Sequence, residues 1–317
     1  MSIASYIREI GRGKDGARSL SQADARDLMS QVLEGAVSDL EIGAFAVAMR
    51  IKGETVAELA GFLEAAHGHC LQVPTTLPTV ILPSYNGARK LPNLTALLAL
   101  LLARKGIQVL VHGVIEEVGR VTTAAIFRDL ELPFAADVAD IDAAWARHEP
   151  VFIDVEALSS ALARLLAVRK VIGLRNPGHT VAKLLLPCSG PATLRVVNYT
   201  HPEYAILQHA FLAHIGADAL SMRGTEGEPV ADPRRTPKLD VYIAGNLRPE
   251  LSTAVQAGVL TALPLLPSSH DAATTALYIQ SVVNGKKPVP PSLLRQVDCL
   301  VSALAAITLA PETEISA

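Results

Sequence analysis

From Pro78 onward the chain alternates between short β-rich runs and helical segments, and this alternation limits the fold more than any other feature. The runs TVILP (79–83), IQVLVHG (107–113), PVFID (150–154), TLRVVNYT (193–200) and LDVYIAG (239–245) are too far apart for hairpins. Strands joined by helical crossovers pair in parallel and carry helices on both faces. The first 70 residues hold no such run. There, Ser21 with Asp24 begins one helix, and Ser38 begins another with Leu40, Ile42, Phe45, Ala46 and Met49 at helical spacing. Lys52-Gly53 stops it and Thr55 caps a third. The expected class is α/β: a small N-terminal helical domain (1–72, joined by helices near 157–176) and a larger α/β domain (73–317) with a mostly parallel sheet. Gln72–Pro78 is the hinge.

Half of the 317 residues are hydrophobic, enough to bury a large core, and only 4% are aromatic, so alanine, leucine and valine must fill it. The three cysteines show neither a CxxC pair nor Cys/His ligand spacing, which argues against a disulfide framework and a zinc site. The N-terminal sixteen residues carry charges where a signal peptide needs its apolar segment, and Leu94–Leu102 is too short to span a bilayer. A cytoplasmic protein without membrane contact is expected. No G-x-S-x-G or Walker A loop occurs.

The segment Pro83-Ser84-Tyr85-Asn86-Gly87-Ala88-Arg89-Lys90 lies between a strand and a helix, where α/β proteins hold phosphate on free backbone N–H groups. It has one glycine instead of several, and a tyrosine and two cations besides. Around it, GAFAVAMRIKGETVAELAGF (43–62), PSYNGA (83–88), NLTALLALL (93–101), VLVHG (109–113) and LAVRKVIGLRNPGHTVAKLL (166–185) follow one another in the order found in glycosyltransferase family 3. The chain resembles that anthranilate phosphoribosyltransferase and nucleoside phosphorylase group, and most closely its YbiB-like branch.

The resemblance implies a helical and an α/β domain with a cleft between them, and a homodimer through the helical part. For the YbiB-like branch it implies binding of single- or double-stranded nucleic acid without strong sequence preference. It places Ser84, Tyr85, Asn86 and Gly87 at the diphosphate loop, Asn93 and Thr95 at the following helix start, and His112 at a strand end. Departures fall on the chemistry: Pro83 removes an N–H, Val111 and Val114 replace the family's lysine and asparagine around His-Gly, and the Asp-Glu pair that holds magnesium has no clear counterpart. Glu226 and Glu228 are the only nearby substitute.

Charge placement adds an independent signal. The formal net charge is −3, yet residues 65–115 and 157–202 contain no Asp or Glu. These windows keep Arg89, Lys90, Arg169, Lys170, Arg175 and Lys183, and cations concentrated at a cleft attract polyanions whatever the overall charge. Burial of apolar segments would also deplete carboxylates there, but it does not explain the cations that remain. Arg12, Lys14 and Arg18 form a third basic group, either an ordinary solvated helix end or a glycine-rich mobile arm for a phosphate backbone. Tyr85 and Tyr204 are candidates for base stacking, and His112 and His179 for hydrogen bonds to a phosphate or sugar, or simply to backbone.

Two readings follow. In the first, favoured by the altered loop, the chain binds DNA or RNA through a basic cleft and needs no cofactor. In the second it is a magnesium-dependent phosphoribosyltransferase with an unknown acceptor. Arg89, Lys90 and Lys183 would then hold the diphosphate of phosphoribosyl diphosphate, and Glu226 and Glu228 the metal. The residues leave open whether the chain is an enzyme.

Overall fold

The computed structural model describes residues 2–13, 15–257 and 264–309. Four helices come first: α1 (Ala4–Ile10), α2 (Gln22–Leu33), α3 (Asp39–Lys52) and α4 (Val56–Gly68). Their starts are encoded locally. The Ser21 side chain accepts from the Asp24 N–H, and Ser38/Glu41 and Thr55/Glu58 form reciprocal capping boxes. Glu58 has a second duty. Fully buried, it takes Lys52 Nζ at 2.6 Å and the Leu20 N–H at 2.9 Å, tying the end of α3 and the entry to α2 onto α4.

The remainder runs β1 (Val73–Pro74), β2 (Thr79–Ser84), α5 (Thr95–Ala103), β3 (Gln108–Gly113), α6 (Thr123–Asp129), β4 (Phe134–Ala135), α7 (Val138–Ala146) and β5 (Val151–Asp154). Next come α8 (Val155–Leu158), α9 (Ser160–Ala167), α10 (Arg169–Ile172), α11 (Pro177–Ala182), β6 (Cys188–Ser189), β7 (Thr193–Tyr199) and α12 (Glu203–His214). The chain then forms β8 (Ala219–Arg223), β9 (Leu239–Ile243), β10 (Asn246–Leu247), α13 (Ala272–Val283) and α14 (Pro291–Leu309).

Eight strands make one sheet in the order β10-β9-β8-β7-β2-β3-β5-β4, parallel except where β9 meets β8 and β10. The α/β class with a mostly parallel sheet is what the alternation implied. β8, with serine and methionine among its five residues, carried too weak a strand pattern to be read.

From β2 the chain crosses to β3 and on to β5, then returns to place β7 on the other side of β2. This reversal is a topological switch point, and a crevice opens there beyond the carboxyl ends of the strands. Alternate residues divide the core. Ile81, Leu110 and Val197 face the helical layer, while Val80, Leu82, Val109, Val111 and Val196 face α5, α6, α13 and α14. Residues of α9 and α11 pack into the same core as α2 and α4, so segments from the middle of the chain complete the helical layer.

α14 is the one described helix long and apolar enough to cross a membrane by length and composition. Its Leu293, Val297, Leu300, Ala303 and Leu304 are instead buried against the sheet's outer face.

Candidate anion cleft

The loop after β2 does not stand open. Backbone N–H groups of Asn86 and Gly87 donate to Glu228 Oε1 at 2.9 and 2.7 Å. The hydroxyls of Ser84 and Thr123 reach the other Glu228 oxygen. Backbone N–H groups of Arg89, Lys90 and Leu91 converge on Glu226 Oε2 at 3.0, 3.0 and 3.1 Å. Two carboxylates from the turn after β8 thus take five amides of the loop. Burial alone would raise the Glu226 pKa, but the three N–H bonds outweigh it and, with Arg120, lower it.

Gly227 makes this possible. A Cβ there would lie 1.8 Å from Asn86 Nδ2, and its φ of +89° suits glycine. Gly113 is equally constrained, since a Cβ would meet the Ser84 carbonyl oxygen at 1.7 Å.

Several residues expected at a ligand surface lie beneath this seal. Tyr85 and His112 are buried and bonded to each other, hydroxyl to Nδ1, at 2.8 Å. Burial lowers the His112 pKa to about 3 and raises that of Tyr85 well above its usual value. Asn93 is buried and donates to Thr123 Oγ1; Thr95 is fully buried in the first turn of α5. The expectation that Asn93, Thr95 and His112 meet nucleic acid is corrected, because the strand ends are closed over by the loop and α5, whereas Tyr85, though buried, still lines the open space beside the loop. Ser84 and Gly87 spend their polar groups on Glu228, and Asn86 spends its side chain on the Glu226 carbonyl and on Arg175.

Cations line the open space beside the loop. One lobe, a cavity of about 410 Å³ between the helical layer and the ends of β7, is lined by Arg50, Arg175, Lys183, His179, Asn198 and Tyr204 among others. A second, of about 860 Å³, shares Arg175, His179 and Lys183 and adds Arg120, Arg128, Arg169 and Lys170. Arg175 donates to Asn86 Oδ1 at 3.0 Å, Lys183 to the Gly227 carbonyl at 2.9 Å, and Arg120 to the Gly87 carbonyl at 3.0 Å. Among the described residues none of the three forms a salt bridge, although Glu228 acts on Lys183, Glu226 on Arg120 and Glu117 on Arg175 at longer range. Burial, partly offset by Glu228 and reinforced by Arg175 and Arg120, lowers the Lys183 pKa to about 8. His179 falls to about 4 through burial and Arg175, so it is neutral at pH 7. Both polar side-chain atoms of Asn198 are buried without a protein partner at the wall of the first lobe.

The cleft is not of a single sign. Glu54 lines the first lobe and Glu116, Glu117, Asp154 and Glu156 the second, and Arg169 is paired with Glu117 at 3.0 Å. The acid-free windows end just short of Glu116, Glu117, Asp154 and Glu156, although cations still outnumber carboxylates in each lobe. Arg89 and Lys90 are exposed on the loop's outer side, and Tyr204 remains half-exposed. Arg12 and Arg18 line neither lobe; both lie within 4.0 Å of Glu9, and the Arg18 N–H donates to the Glu9 carbonyl. These contacts favour the ordinary helix-end reading over a mobile arm, and Lys14 lies outside the described residues.

The expected magnesium pair does not fit. Glu228 is fully buried with N–H and O–H donors on both oxygens, and Glu226 Oε2 takes three N–H groups, so a cation shared by the two carboxylates would have to displace the hydrogens on Glu228. Among the described residues no group of three or more His, Cys, Asp or Glu could hold a metal ion. Arg50, Arg120 and Asn198 were not legible as site residues. Arg120 sits in an acid-containing segment, and Arg50 and Asn198 end a helix and a strand that pattern reading assigns to packing. The chance to see the glutamates' role lay in the odd spacing of TEGE, but only the fold brings it to a loop some 140 residues away.

Residues 4–70 match the glycosyl transferase family, helical bundle domain. Over 306 residues the chain is 40% identical to the uncharacterized protein YbiB of Escherichia coli K12, covering 96% of this chain and 94% of that one. It is 26% identical over 230 residues to the anthranilate phosphoribosyltransferase of Symbiobacterium thermophilum, covering 71% and 65%. The crystal structure of anthranilate phosphoribosyltransferase from Thermus thermophilus matches with a TM-score of 0.70 at 18% identity, covering 95% of this chain and 93% of that one. The Saccharomyces cerevisiae enzyme in complex with PRPP and Mg matches at 0.63 and 13% identity, covering 96% and 95%.

Proposed function

This chain belongs to the YbiB-like branch of the anthranilate phosphoribosyltransferase-like family, and we propose that its cleft binds the phosphate backbone of nucleic acid. The observation that carries this reading is the set of cations, Arg50, Arg120, Arg175 and Lys183, that lines the two adjoining lobes and, among the described residues, forms no salt bridge. Arginine forks and lysine point charges suit phosphate oxygens spaced along a chain. Tyr204 and the unpartnered Asn198 in the first lobe would take a base, by its face and its edge respectively.

Fluorescence-anisotropy binding of a single-stranded oligonucleotide at several salt concentrations tests it. For single strands each phosphate contact contributes about −0.7 to the slope of log affinity against log salt. Arg175→Ala/Lys183→Ala should therefore weaken binding and flatten the slope by about 1.4. An unchanged slope and affinity would remove the cleft from the interface.

A second reading, phosphoribosyl transfer, is favoured by the comparisons: relatives named as anthranilate phosphoribosyltransferases share sequence over much of the chain, and the fold is that of an enzyme solved with PRPP and Mg. Arg120, Arg175 and Lys183 would hold the diphosphate and stabilise it as leaving group. A metal would need ligands other than Glu226 and Glu228, and the ligand itself could supply them. Titration with phosphoribosyl diphosphate, with and without magnesium, decides between the readings.

The chain is further proposed to work as a homodimer through α3. Leu40, Val47 and Ile51 lie at helical spacing on one face, and Leu40 and Ile51 are 84% and 64% exposed. A second copy of that face would cover them and present two clefts to one strand. Val47→Glu with Ile51→Glu should yield monomers in analytical ultracentrifugation if this face is the contact.

A further inference from the structure

We propose that the Glu226–Gly227–Glu228 turn is a built-in anion. It occupies the amide seat of the 84–91 loop, so that free phosphate and diphosphate groups are refused there while the cations on the cleft wall stay available to a polymer. The inference rests on the cleft being the ligand face, and it assigns to the two glutamates a role in choosing the ligand.

Backbone amides converging on one point form a site for an anion, and here there are two such points side by side. Two carboxylates one residue apart fill them, as two linked phosphoryl groups would. The seats differ in permanence. Glu228 is fully buried and additionally held by Ser84 and Thr123, whereas Glu226 is only partly buried.

Glu226 also sits at φ +54°, a region that side chains other than glycine, asparagine and aspartate seldom adopt. Arg89 and Lys90 are exposed, and water could have served their amides. The turn instead adopts an unfavourable backbone conformation to bring a carboxylate there. An occupant tethered through the chain competes at high effective concentration with any free ligand. Lys183, bonded to the Gly227 carbonyl, and Arg120, bonded to the Gly87 carbonyl, brace the turn and the loop from the cleft side.

The test compares the full chain with Glu226→Ala, a partly exposed substitution that spares the buried Glu228. Inorganic diphosphate is titrated into each by calorimetry, single-stranded oligonucleotide binding is measured in parallel, and thermal melting confirms that the variant folds. The expected result is weak or unsaturable diphosphate binding to the unaltered chain and affinity at least about tenfold higher in Glu226→Ala, with oligonucleotide affinity not reduced. Equal diphosphate affinity in the two folded proteins would overturn the inference, as would tight binding to the unaltered chain. If neither protein bound the oligonucleotide while Glu226→Ala gained diphosphate, the seat would stand and the nucleic-acid reading would fall.

Discussion

Single residues set the pH behaviour of the cleft. Lys183, with its pKa lowered to about 8 chiefly by burial, is charged at neutral pH and loses its proton just above it. A phosphate beside it favours the charged form, so affinity should be level below about pH 8 and fall as the pH rises beyond it. Lys183→Arg should extend the level region, because guanidinium stays protonated. Anisotropy titrations from pH 6.5 to 9.5 on both proteins check this.

His112 acts on stability instead. Its folded-state pKa of about 3 lies below the ordinary value of 6.5, so as the pH falls the unfolded chain takes up the proton first. Stability is then lost from about pH 6.5 downward by up to about 1.4 kcal/mol per pH unit. His112→Gln should show a shallower acid slope than the unaltered chain in urea melts at pH 4 to 7. None of this could be read from VLVHG, where a histidine at a strand's carboxyl end looks like a ligand; only the Tyr85 ring and the overlying loop make it interior.

Helices and loops differ in how openly the sequence states them. The caps at Ser21, Ser38 and Thr55 were legible because capping is a contact between residues three apart, and all three helices begin there. The same glutamate that completes the Thr55 box also serves Lys52 and the Leu20 N–H, and the latter contact spans 38 residues and was hidden. Glu58→Ala strips the cap's reciprocal bond and leaves a buried ammonium unpaired. It should cost on the order of 3–5 kcal/mol, against about 1 for Thr55→Ala, in equilibrium unfolding. Comparable losses would mean that the buried pair adds nothing to the cap.

The anion loop shows the opposite case. Pro83, Tyr85 and the single Gly87 suggested a loop that no longer wraps an anion with its backbone, yet five of its amides converge on carboxylates from the turn after β8, on the far side of the switch point. Local patterns cannot carry such a contact.

At the scale of the whole molecule, the fold was legible because a 70-residue helical start followed by strand–helix alternation permits few architectures. The charge map was legible only in part. Acid-free windows located Arg175 and Lys183 correctly on the cleft, but Arg164 and Arg195 in the same windows bond carbonyls of Leu33 and Leu184 and serve packing. Arg120 and the carboxylates at 116–117 fall outside them and still line the second lobe.

A slightly acidic protein can thus keep a local cation surplus at the junction of its two layers, where low-dielectric walls strengthen its field. The most direct test of that account is the salt dependence of single-strand binding, measured for the unaltered chain and for Arg175→Ala/Lys183→Ala, with phosphoribosyl diphosphate as competitor. The account expects log-linear weakening with salt, a flatter slope in the double variant and no displacement by phosphoribosyl diphosphate. Salt-independent or absent binding, or full displacement by that small diphosphate, would contradict it.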